Sequence, residues 1–278
     1  MLDLSSRQAK LIFAGVAITI GLFIFFPVYW LVISSFKSSQ ELYRITPTLF
    51  PTTWTLDHFR TALTRGHLPL HLFNSLVVSL SSAAINTTMA VYAGYSFAKY
   101  RYFGRKPVML LMLSAQMFPF GLLLITIYPQ LTSWGLLDTR AGLVLSYVVF
   151  ALPVATYMLY SYFSQVPNEL IEAARADGAS DLRIFHTIVL PVSLPPIITV
   201  FLYSFMWSWN DLLYSLTLIV SEDKRTVAPG LLLTYLNESN ADWGGAMAAS
   251  LMAALPVMIG FILQQRYFIQ GVTAGAVK

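Results

Sequence analysis

Charge is scarce in this sequence and cysteine is missing altogether. Only 11% of the 278 residues are Asp, Glu, Lys or Arg, whereas 56% are hydrophobic, and the mean hydropathy is +0.65. A water-soluble domain carries about 25% charged residues, so the composition excludes that class and indicates a chain that lives in a lipid bilayer. Zero cysteines exclude a disulfide framework, thiolate metal ligands and a cysteine nucleophile together. The four histidines, His58, His67, His71 and His186, show no HExxH spacing, and no stretch reads as a GxxxxGK(S/T) phosphate loop. Nucleotide energy, if it is used, must be bound by another polypeptide.

Six stretches are long and uncharged enough to cross about 30 Å of hydrocarbon, which takes roughly 20 helical residues each. They are Leu11–Ile33, Leu72–Ala98, Pro107–Tyr128, Ala141–Phe163, Val192–Asp211 and Gly244–Gln264. The first follows Arg7 and Lys10 as a secretory signal would, but its apolar run exceeds the usual ~7–15 residues and no cleavage pattern follows, so it reads as a retained span. An even number of spans puts both termini on one side. The short connection Lys99–Lys106 carries Lys99, Arg101, Arg105 and Lys106, and the positive-inside rule then places that connection and both termini in the cytoplasm.

Ionisable groups are nearly missing from the spans as well, with Asp211 near a boundary. An ion-coupled carrier needs carboxylates, histidines or basic groups at depth to bind and relay charge. Their scarcity points to an energy source outside the membrane. No Ser/His pair, paired aspartates or metal constellation lies at depth either, which argues against an intramembrane hydrolase, and no inverted repeat is evident.

Small and polar residues recur every four positions at Ser82, Asn86, Ala90, Gly94 and Ala98, and again at Gly245, Ala249 and Ala253. Close helix packing is the first reading of such a face, and a pathway lining the second. Met117-Phe118-Pro119-Phe120-Gly121 should break the third span, because proline lacks a backbone donor and crowds the preceding turn.

The polar stretch between the fourth and fifth spans holds the most specific pattern. Pro167 suits the first turn of a helix, Glu169 and Glu172 favour its positive end, and Leu170, Ile171 and Ala174 form an apolar stripe. Gly178 can supply a left-handed terminating turn, Ser180 can cap a second short helix, and Pro191 opens the next span. By itself such an amphipathic segment reads as an interfacial helix.

The full spacing is Glu172-Ala173-Ala174, three residues, Gly178, nine residues, Ile188, one residue, Leu190, then Pro191. It resembles the EAA loop of the membrane subunits of binding-protein-dependent ABC importers. Ser34-Ser35-Phe36-Lys37, Gly94-Tyr95-Ser96-Phe97-Ala98, Trp209-Asn210-Asp211 and the ending Gly271-Val272-Thr273-Ala274-Gly275-Ala276-Val277-Lys278 are similar to the carbohydrate branch, most of all to the second permease of the maltose-type pair.

The resemblance implies an all-α polytopic membrane protein of six transmembrane helices with the ABC importer transmembrane-domain fold. Residues 1–278 would form one permease domain, with an extracytoplasmic loop at 34–71, a cytoplasmic coupling loop at 164–190 and a cytoplasmic tail at 266–278. Glu172, Ala173, Ala174, Asp177, Gly178, Ile188, Leu190 and Pro191 would couple the chain to an ATPase. Glu172 would meet a basic residue there, the two alanines would allow close approach and Gly178 would set an elbow. Implied partners are a second homologous permease, two ATPase subunits and an extracytoplasmic solute-binding protein in a bacterial inner membrane. ATP and Mg would lie on the ATPase subunits, with no cofactor, metal or covalent chemistry in this chain. Gln116, Met117, Phe118, Tyr203, Trp207, Asn210 and Asp211 are the candidate pathway residues, since rings and amides suit a neutral polyhydroxylated solute. The competing expectations are a secondary carrier without ion coupling and a channel-like membrane scaffold.

Overall fold

The computed structural model describes residues 7–64, 66–237 and 241–276, with side chains described from Lys10 to Ile262 within those ranges. Among the described residues there is no β-strand, only one isolated antiparallel bridge between Lys37 and Trp54. Four helices are long and apolar enough to span a membrane: Lys10–Ser35, Leu68–Lys99, Arg140–Phe163 and Trp243–Ile262. Two further helix pairs qualify only when each is taken as one bent span.

The first bend falls at the break expected at Met117–Gly121, and the second lies at the start of the span expected over Val192–Asp211. In the first, Arg105–Met117 meets Phe120–Ser133 at 100°. Phe118 turns extended ahead of Pro119 (φ −73°, ψ 134°), as a residue preceding proline is driven to do. In the second, Asp181–Val192 meets Leu194–Trp209 at 77°. Pro191 therefore does not open the fifth span. It sits within the short turn Leu190–Val192, the joint falls at Ser193, and Leu194-Pro195-Pro196 start the next helix, where missing proline donors cost nothing.

The chain divides into two compact units, Met1–Leu68 with Leu231–Leu255, and Pro69–Gly230 with Pro256–Lys278. In the first unit the connection after the opening helix is an ordered turn. Glu41 accepts hydrogen bonds from the hydroxyls of Thr48 and Thr52 and from the Thr52 amide at 2.9 Å, while the Lys37 ammonium reaches the Thr48 carbonyl and lies 4.5 Å over the Trp30 ring. The Thr48 hydroxyl, against the opposing pull of burial, and the Thr52 donors hold the Glu41 carboxyl down from 4.5 to about 2. Gly245, Ala249 and Ala253 pack inward. A Cβ on Gly245 would lie 2.6 Å from the Tyr235 ring.

In the second unit the Ser82–Ala98 stripe is a packing seam. Ser82 donates to the Ser208 hydroxyl (3.0 Å), Asn86 donates to the Ser204 hydroxyl (2.5 Å), and Ala90 is fully buried. A Cβ on Gly94 would stand 3.0 Å from both Leu159 Cβ and the Tyr160 amide nitrogen, so glycine lets the two helices approach this closely and a larger residue would press on the Leu159–Tyr160 backbone. Asp138 joins two distant turns by accepting from the Val220 and Ser221 amides (both 2.9 Å) and pairing with Lys224 at 3.0 Å. Burial pushes its carboxyl up, but Ser221, Lys224 and Val220 together hold it well below the usual range.

The tail expected at 266–278 falls largely outside the described residues. Its backbone is helical to Ala276, while its side chains, together with Val277 and Lys278, lie outside the described residues.

Candidate functional site: the elbow and the helix it leads into

Pro167 turns the chain into the helix Asn168–Ala176, whose first turn carries Glu169 and whose last carries Arg175, each the sign that the helix dipole favours. The helix ends in a paired left-handed stop. The Gly178 amide bonds Arg175 O (3.0 Å), the Ala179 amide bonds Ala174 O (3.0 Å), and Gly178 has φ +83°. Nothing lies within 4 Å of a Cβ built on Gly178, so its backbone angle alone asks for glycine. Across the elbow Arg175 pairs with Asp181 at 2.7 Å, an exposed contact that solvent screens. Ser180 caps the helix Asp181–Ile184 by accepting from the Arg183 amide, and a π-helical turn follows over Phe185–Val189.

One side of the elbow is bolted to the spans. Ile171, Ala174, Ile184, Phe185 and Val189 bury themselves among Tyr95, Ala155, Leu159 and Phe163, and the Tyr95 and Phe185 rings sit 4.6 Å apart. Burying a side chain of the size of Ile184 stabilises by about 1.5–3 kcal/mol. Lys99 adds a strap to Val166 O (2.5 Å) and Asn168 Oδ1 (2.8 Å). The other side is open. Glu169, Leu170, Glu172, Ala173, Ala176 and Asp177 are exposed, and so are Gly178 and Pro191, while Ile188 and Leu190 are half-buried against the cluster. Of the apolar stripe expected at Leu170, Ile171 and Ala174, Ile171 and Ala174 face inward, whereas Leu170 is exposed.

Past the elbow the chain reaches the joint at Ser193. Pro196 leaves Val192 O without a helical donor, and Tyr162 donates to it (3.1 Å), while Val189 O accepts from both the amide (3.1 Å) and the hydroxyl (2.6 Å) of Ser193. The helix Leu194–Trp209 then runs along the packing seam at Ser204 and Ser208.

At the far end of that helix lies an open cleft of about 520 Å³ lined by Tyr203, Met206, Trp207, Asn210 and Asp211. The structure thus brings four of the candidate pathway residues together. The Trp207 ring stacks on Phe150 (4.7 Å, 25°) and meets Phe120 edge-on (4.7 Å, 87°). Asp211 is 9% exposed and accepts from the Tyr147 hydroxyl (2.7 Å) and from the Ser215 amide (3.0 Å). Gln116 instead donates to Phe150 O (2.8 Å), while Met117 and Phe118 are 84% and 63% exposed and stand outside the cleft at the 100° break. Among the described residues no group of three or more His, Asp or Glu could hold a metal ion.

Residues 68–273 match the family described as "Binding-protein-dependent transport system inner membrane component". The chain belongs to this family. The permease is 35% identical over 91% of both chains to the inner membrane ABC transporter permease protein YcjP of Escherichia coli. It is 32% identical over 95% of both chains to the diacetylchitobiose uptake system permease protein DasC of Streptomyces coelicolor, and 30% identical over 94% of both to the trehalose/maltose transport system permease protein MalG of Thermococcus litoralis. In fold it resembles a chain from a bacterial ABC transporter for import of the acidic polysaccharide alginate, with a TM-score of 0.82 at 22% identity, covering 95% of this chain and 98% of that one. The permease is accordingly an all-α, multi-pass inner-membrane transport component, and its family is not one of catalytic enzymes.

Sequence spacing does not reveal Tyr147, Tyr162 or Lys99 as parts of these sites, since each meets its partner from 30 to 67 positions away.

Proposed function

We propose that this chain is one permease subunit of an ATP-driven importer of sugars, and that its elbow converts motion of a separate ATPase into alternating access. One observation carries the reading: the elbow is fixed to the spans on one side, bares Glu172 and Ala173 on the other, and continues through a jointed helix to the cleft at Trp207. A rigid projection with an open docking face and a hinge behind it is suited to transmit a push. Glu172, Ala173, Asp177 and Gly178 form the docking side, whereas Ala174, Ile188, Leu190 and Pro191 hold the transmission to the joint.

The complete assembly in this reading has a second homologous permease, two ATPase subunits that hold ATP and Mg, and an extracytoplasmic binding protein. Both termini and the elbow face the cytoplasm, as the cationic connection at Lys99–Lys106 supports. The sugar class is supported by the relatives named for diacetylchitobiose and trehalose/maltose, and by a cleft that offers Tyr203, Trp207 and Asn210 to a polyhydroxylated solute.

The test is ATP-dependent solute uptake by proteoliposomes holding the whole complex. Glu172→Lys and Gly178→Asp are each expected to reduce uptake at least tenfold with membrane insertion unchanged. Uptake at the unmodified rate in both variants would remove the coupling role.

A further inference from the structure

A second site lies in the connection between the helix Leu68–Lys99 and the helix starting at Arg105. Five residues, Tyr100 to Gly104, join two membrane-crossing elements, so the connection cannot leave the plane where hydrocarbon gives way to water. Gly104 at φ +86° sharpens the turn, and Arg105 closes it by donating to Tyr100 O at 3.0 Å. The closed turn encloses an open pocket of about 550 Å³ lined by Arg101, Tyr102, Phe103, Gly104, Arg105, Lys106 and Pro107.

The chemistry of that pocket is one-sided. It holds three cations and no carboxylate, and among the described residues the ion pairs are Arg175–Asp181 and Lys224–Asp138, so none of the three is neutralised. Beside them Phe103 is fully exposed and Tyr102 is 44% exposed, while Val108, Leu110 and Leu111 continue an uncovered apolar face along the helix Arg105–Ser114. Cations at the level of the headgroups with rings and aliphatic chains just beyond match an anionic amphiphile: phosphate above, acyl chain below.

We infer that this turn is a binding site for the headgroup of an anionic phospholipid, with Arg101, Arg105 and Lys106 facing the phosphate and Phe103 inserted among the acyl chains. The site anchors the inner end of the broken third span to the lipid surface and so biases where its 100° bend can move. It is independent of the elbow and of the transported solute.

The assembled, delipidated transporter titrated with phosphatidylglycerol or phosphatidylcholine and read by native mass spectrometry tests this. The unmodified complex should retain phosphatidylglycerol in preference to phosphatidylcholine. Arg101→Gln with Arg105→Gln and Lys106→Gln should weaken phosphatidylglycerol retention by about fivefold per cation removed, leaving phosphatidylcholine unchanged. Arg101→Lys with Arg105→Lys, which keeps the charge, should restore it. Equal retention of the two lipids, or a phosphatidylglycerol preference that survives the triple substitution, would overturn the inference. So would loss of the other subunits from the triple variant with its lipid preference intact, since the turn would then be a protein contact.

Discussion

Asp211 shows how far a single residue depends on neighbours that its own sequence context does not announce. Its place after Trp209-Asn210 marks the end of a span, but its burial is tolerable only because Tyr147, Tyr214 and Ser215 donate to the carboxylate. Tyr147→Phe removes the donor 64 positions away and should destabilise the purified complex by about 1–3 kcal/mol, read from its denaturation curve. Glu41 gives a prediction with a pH sign. Its folded value of about 2 lies below the ordinary 4.5, so the stability it contributes is complete above about 4.5 and is lost as pH falls through 2. Amide protection over residues 38–54, taken relative to the intrinsic exchange rate at each pH, should therefore fall between pH 5 and pH 2.5, and Glu41→Gln should flatten that change. Nothing in the local sequence links Glu41 to Thr48 and Thr52, because the link is a tertiary turn.

Elements were more legible than their faces. Gly178 stops its helix in the left-handed turn that its position suggests, and the recurrence from Ser82 to Ala98 is a packing seam, since period and backbone freedom are local properties. Which side of the helix Asn168–Ala176 turns inward is not local. Leu170 and Ala174 are both apolar, and only the pocket formed by Tyr95, Leu159 and Phe163 decides that Ala174 goes in and Leu170 out. Ile184→Ala should cost about 2–5 kcal/mol, because the site is fully buried and flanked by rings that collapse poorly. The measurement is amide exchange of residues 168–191, which should rise together while the far helices stay protected. Gly94→Val forces the seam apart, and a loss of about 1–3 kcal/mol is expected in thermal unfolding of the complex.

At the scale of the whole molecule, composition and run length suffice for an all-α membrane chain, because the hydrocarbon thickness sets how many apolar residues each crossing needs. The geometry of the two bends is not a local property. Proline flags a break near Pro119 and Pro191, but the angles of 100° and 77° and the displacement of the second joint to Ser193 arise from packing and from Tyr162 capturing the freed Val192 carbonyl. Exposed apolar surface on the first helix, from Leu11 to Phe26, must be covered by lipid or another subunit. The elbow as a lever between a separate motor and the jointed fifth span makes the firmest demand on the assembly. A photo-crosslinking residue at Ala173 in the transport-competent complex is expected to capture a nucleotide-hydrolysing subunit, with a yield that changes between ATP-bound and nucleotide-free states. Capture of lipid or the second permease alone, with uptake intact, would contradict it.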